Sequence, residues 1–238
     1  MAGVPQGSTH VEVALEVGSN RVFAIATDWP GWCRSGRDEA AALEALLAYG
    51  PRYAGVLRGR GVRFSPPRVP DSFKVSHRVK GNATTDFGAP DGVFRSDDDP
   101  LDGRRLRRLR LILEASWAAI DRAVDEAEGI ELRKGSRGGG RELDAITAHV
   151  VQAEASYTQR LAAARPETDG ADPWSTRVSE REAVIEALQR AVHDGLPEAG
   201  PRGGKLWTPR RFLRRAAWHV LDHAWEIQDR AAAVGPAG

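Results

Sequence analysis

A chain of 238 residues, 41% hydrophobic and 28% charged, has the balance of a globular protein and enough length for two domains. Its formal net charge of +1 supplies no long-range field toward nucleic acid or an anionic membrane, and its one cysteine, Cys33, excludes an internal disulfide framework and fits a reducing compartment. The stretch Met1 to Gln6 has no basic and apolar signal regions, and no apolar run approaches the roughly 20 residues that span a bilayer. The expectation is a cytoplasmic protein with no membrane or nucleic-acid partner.

From His10 the chain alternates as a strand does, with Val11, Val13, Leu15 and Val17 on one face and Glu12 and Glu16 on the other. Gly18-Ser19-Asn20 turns it, Val22 to Ala26 returns as a second strand, and Asp28-Trp29-Pro30-Gly31 breaks that strand. Asp38 to Ala48 reads as an Ala/Leu helix capped near Ser35, continuing past a kink at Gly50-Pro51 through Tyr53 and Leu57. After a proline-broken stretch, Ser72 to Val79 alternates as a third strand, so residues 1–80 read as a small α+β domain. The hairpin, the turn Asp28-Trp29-Pro30-Gly31-Trp32-Cys33, then Ser35-Gly36 and the helix start Asp38-Glu39-Ala40 resemble a HicB-type domain. That family usually carries a separate DNA-binding segment after this fold; here the polar, Gly/Pro-marked stretch 81–103 follows instead and reads as a linker. Its acidic end, Asp97-Asp98-Asp99, is placed to cap the next helix.

Residues 104–238 carry four helical patterns with no strand between them: Arg104 to Glu128, Glu142 to Ala164, Ser179 to Asp194, and Arg211 to Arg230 behind the helix-start signal Thr208-Pro209. They predict an all-α four-helix bundle with an up-down-down-up order. The last helix is apolar on nearly every side, as a helix buried among others must be. On it His219 and His223 lie one turn apart, and His149 sits mid-helix on the second pattern. Each histidine alone reads as a core residue. A mid-helix His facing His-x3-His instead suits a divalent transition metal with an open position. A zincin protease needs Glu directly after the first His, and Val220 stands there.

The stretches Arg137 to Val150, Glu154 to Tyr157 and Arg215 to Ile227 resemble the DinB-like superfamily, whose YfiT-type bundles include thiol-dependent transferases. The resemblance implies that His149, His219 and His223 are the metal triad, that zinc or nickel is the metal, that a low-molecular-weight thiol serves as cosubstrate, and that the bundle forms a homodimer. Glu226, one turn beyond His223, reads equally as the acceptor that orients a ligand imidazole or as a salt-bridge partner of Arg230. Asp222 reads as surface, and Trp218 and Trp225 as core or dimer contacts. The run Arg104 to Arg110 reads as a solvated or salt-bridged face opposite the acidic Asp121, Asp125 and Glu126, with anionic-ligand capture as the minority reading. Gly138-Gly139-Gly140-Arg141 reads as a flexible loop, with anion capture at a helix start as the minority reading. Two functions follow. One is a metal-dependent S-transferase or isomerase acting with a small thiol on a small-molecule electrophile. The other is a non-catalytic, metal-stabilised module whose HicB-like part engages a protein partner. If Phe212, Trp218 and Trp225 seal the triad, the second is favoured.

Overall fold

The computed structural model describes residues 10–134, 140–163, 172, 174–200 and 204–232. The start Met1 to Gln6, Gly138-Gly139 and the closing Gly235-Pro236 lie outside them. Two strands, β1 (Val11–Val17) and β2 (Val22–Ala26), pair antiparallel with Val13 opposite Ala26. The short β3 (Cys33–Gly36) adds to the far side of β2, and β4 (Phe73–Lys80) runs parallel to β1 with a register shift between Val13 and Ala14. The sheet order is therefore β3-β2-β1-β4. A parallel neighbour demands a crossover, and α1 (Glu39–Ala48) and α2 (Gly50–Leu57) lie on it. Asp38, not Ser35, caps α1, its carboxylate accepting from the Ala41 amide at 2.8 Å. The strand β3 carries no alternation of apolar residues, so Cys-Arg-Ser-Gly gives no strand signal in the sequence.

Both faces of this sheet are covered. On one, Val13, Leu15, Val22 and Ala24 join a core that runs through α1 and α2 into the long helices. On the other, Ala14, Phe23, Ile25 and Cys33 pack with Phe94 and Trp218. Glu16, expected on a polar face, is fully buried there. Its carboxylate accepts from the hydroxyl of Thr85, on the short α3 (Ala83–Phe87), and from the amides of Asp91 and Gly92 at 3.0 and 2.8 Å. Asp97 caps not the next long helix but the short 3-10 turn Arg95–Asp98, its carboxylate accepting from the Phe94 amide and also taking the Arg214 guanidinium. Asp102 is the cap of the next helix, accepting from Arg105 N at 2.7 Å.

The four long helices are α4 (Gly103–Ala127), α5 (Leu143–Thr158), α6 (Arg177–His193) and α7 (Pro209–Ala231). Each lies where the apolar spacing places it, but together they do not make the expected all-α bundle. The chain is an α+β protein in which sheet and helices share one continuous core. The reason is the all-round apolar surface of α7. Its partners α4, α5 and α6 leave one side uncovered, and that side meets the sheet: Trp218 sits edge-on to Phe23 at 6.2 Å, and Asp222 pairs with Arg34 of β3. Gly31, with φ +90°, lets the β2–β3 turn approach α7 so closely that a Cβ there would stand 2.6 Å from Leu221. Among the described residues, no helix is long and apolar enough to cross a membrane.

Candidate metal centre

Helix α7 starts where Thr208 and Pro209 place it, with the Thr208 hydroxyl accepting from Arg211 N. About three and four turns further on, His219 and His223 reach the side that faces α5, and α5 brings His149 to meet them. The Nε2 atoms of His149 and His219 are 3.2 Å apart. The three ring centroids are 4.7 to 5.1 Å from one another, and one donor nitrogen from each ring lies within 4.8 Å of the others. Zinc–imidazole bonds of about 2.0–2.1 Å in a tetrahedral shell separate two donors by about 3.3 Å. The closest pair already stands at that spacing, and the widest needs to close by no more than about 1.5 Å.

Glu226 contacts both residues named for it, His223 and Arg230. One oxygen accepts from His223 Nδ1 at 2.9 Å and the other from Arg230 Nη1 at 3.0 Å. With the proton on Nδ1, the Nε2 lone pair of His223 is left to face the other two rings. The hydrogen bond from His223, and then Arg230, hold the Glu226 carboxyl below the usual carboxylate range despite its partial burial. Burial pushes His219 well below the ordinary imidazole pKa, and the neighbouring His223, Arg215, His149 and Arg141 push it further. Burial, then Arg141 and His223, lower His149 in the same direction, with Glu226 opposing. Neutral imidazole is the form that ligates a metal. The cluster is a candidate metal-binding site.

Of the aromatic residues that might have closed the site, Trp225 packs on Tyr49 at 5.2 Å and Phe212 is enclosed in the core, while Trp218 lies between Phe23 and His219, 6.2 and 6.1 Å from their rings. His149 stays half-buried and the His223 side chain 14% exposed, so the cluster meets solvent along their edge. Two neighbours escape the sequence reading. The Tyr157 ring lies edge-on to His219 at 5.7 Å, and the Arg215 guanidinium sits 5.5 Å from Tyr157 and 4.5 Å from Trp218. The position of Arg215, one turn before His219, was the available signal.

Other residues singled out by sequence stay apart from the triad. His77 contacts Ser76 on β4 and His193 contacts Asp194. The arginine run does not pair with Asp121, which takes Arg177 and Arg181 from α6 instead; Arg108 lies over Trp29 and donates to Asp28 O, and Arg110 pairs with Glu114. Cys33 is buried, and that burial pushes its thiol far up, away from a reactive thiolate. A cavity of about 540 Å³ opens between the sheet and the start of α4, lined by Thr27, Asp28, His77, Ser96, Arg108 and Arg210, away from His149, His219 and His223. Comparison with protein-family models, with curated proteins and with solved structures gives no match to this chain.

Proposed function

We propose that His149, His219 and His223 hold one divalent zinc or nickel ion, and that the protein is a DinB-like transferase acting with a low-molecular-weight thiol on a small electrophile. The observation that carries the reading is the convergence of three imidazole donors within 4.8 Å, one of them already oriented by Glu226. A bound metal of this kind lowers the pKa of a coordinated thiol and presents it as a thiolate. The chain's own part is to keep His149 and His219 neutral, to fix the His223 tautomer through Glu226, and to leave the His149–His223 edge open to a small molecule. The nucleophile comes from a cosubstrate in this reading, because Cys33 is buried in the sheet and held as a thiol. The resemblance of the His149 and His219–His223 motifs to DinB-like proteins supports the thiol class.

Elemental analysis of the purified protein tests the metal. About one divalent ion per chain is expected, with His149→Ala and His219→Ala each losing it. A metal-replete chain that carries none would remove the proposal. Thiol-transfer assays with small thiols, with and without metal, test the chemistry. A metal that raises the unfolding midpoint but supports no transfer would favour the stabilising role suggested by the 6% exposure of His219 in the α5–α7 interface.

A further inference from the structure

Arg215 stands one turn before His219 on α7, and so on the same side of the helix. Its guanidinium is flanked by the rings of Tyr157 and Trp218, which fix its position. Its Nε and Nη1 are buried and have no hydrogen-bond partner. A buried donor left unpaired is costly, more so when charged, and folded proteins rarely keep one. Arg181 and Arg230 also keep buried unpaired nitrogens, but each holds a carboxylate with the rest of its fork, Asp121 and Glu226, and the preceding Arg214 donates to both oxygens of Asp97 and to Gly92 O. Arg215 has been given position without an acceptor.

The charge around the triad points the same way. The carboxylates on the neighbouring turns are committed elsewhere: Glu226 to His223 and Arg230, Asp222 to Arg34, Asp91 to Arg211. Among the described residues no carboxylate is hydrogen-bonded to Arg215 to offset its charge.

We propose that Arg215 is the anion-binding residue of this site and that the substrate carries a small carboxylate. The proposal rests on the triad reading for its reaction, but not for its binding. A carboxylate is planar and extends the plane of a guanidinium held between two rings, pairing with it through charge-assisted hydrogen bonds. Bound there, it places the rest of a small molecule one helical turn away, beside His219. Tyr157 lies against both Arg215 and His219, 5.5 Å from the guanidinium and 5.7 Å from the imidazole.

Calorimetric titration of the zinc-loaded full chain with succinate, and with its neutral analogue succinamide, tests this. Succinate binds and succinamide does not. Arg215→Met, which keeps an unbranched stem against the two rings, weakens succinate about tenfold or more while zinc content and unfolding midpoint stay those of the wild type. Arg215→Lys, which keeps the charge without the fork, loses less, and serves as the deciding variant if the Met substitution does not fold. Equal succinate affinity in the wild type and both variants, or equal affinity for succinate and succinamide, overturns the proposal. Repeating the titration on the metal-free chain separates the two readings. A chain that takes up no zinc yet binds succinate through Arg215 keeps this proposal and loses the metal. A chain that takes up zinc and ignores succinate does the reverse.

Discussion

The sheet-facing and α5-facing sides of α7 are built from the same residue types, yet their polar groups end differently. Toward the sheet, Arg214 and Asp97 form a two-pronged ion pair that is 6% and 4% exposed, and the remaining Nη2 hydrogen-bond capacity goes to Gly92 O. Toward α5, one residue later, Arg215 keeps two buried donors without partners, and so does Nδ1 of His219. Both sides bury charge or near-charge in a low-dielectric core. Only one completes it from within the chain. A side whose groups are all satisfied holds the fold together, whereas a side with oriented but unsatisfied groups is arranged for something that arrives later.

The largest effect that would break this contrast lies on the sheet side. Arg214→Met leaves the Asp97 carboxylate buried and unpaired, and urea unfolding should show a loss of about 3–5 kcal/mol. Replacing both partners with apolar residues, Arg214→Met with Asp97→Leu, should recover much of that loss, since no charge is then stranded. If the single substitution costs no more than the double, the pair is not the staple described. On the other side the expected effect falls on affinity. Glu226→Gln removes the acceptor that fixes the His223 tautomer and should weaken metal binding about 10- to 100-fold in a chelator competition, with little change in unfolding. Unaltered competition would leave Glu226 as a partner of Arg230 alone.

The smallest effect is in pH. His149 and His219 are held below the ordinary imidazole pKa in the folded, metal-free chain. Below about pH 6.5 the unfolded chain takes up protons that the folded chain refuses, so stability is present above that pH and falls as pH drops through it. The urea midpoint of the metal-free protein should therefore be lower at pH 5.5 than at pH 7.5, and His219→Gln should shrink the difference. A pH dependence indifferent to His219→Gln would mean that the imidazole is not buried neutral.

Much of the helical part was legible in the sequence because it depends on local signals. Thr208-Pro209 and the apolar stripes locate α7 and α4 to within a residue or two, and a mid-helix His149 opposite His219-x3-His223 is a pattern that neighbouring helices can bring together. What could not be read is whatever depends on partners far along the chain. The all-round apolar surface of α7 is plain in its residues, but they do not say whether a fourth side is covered by a helix or by a sheet, and the bundle expectation failed there. Glu16 alternates like a solvent-facing residue and is buried because Thr85, Asp91 and Gly92 close over it some 69 to 76 positions later. Arg214 and Arg215 are adjacent and identical in type; only Asp97, 117 positions away, separates a staple from an unsatisfied site.

Arg230 has one more consequence. Beyond Glu226, its guanidinium donates to the carbonyl oxygens of Arg133 and Arg141 at 2.8 and 2.7 Å, and Gly140 passes so near that a Cβ would stand 2.8 Å from Nη2. One side chain thus clasps both ends of the connection between α4 and α5 beside the triad. Arg230 thereby ties the chain after α4 and the chain before α5 to α7 at the level of Glu226, so that one arginine sets the spacing of three helices beside the histidines.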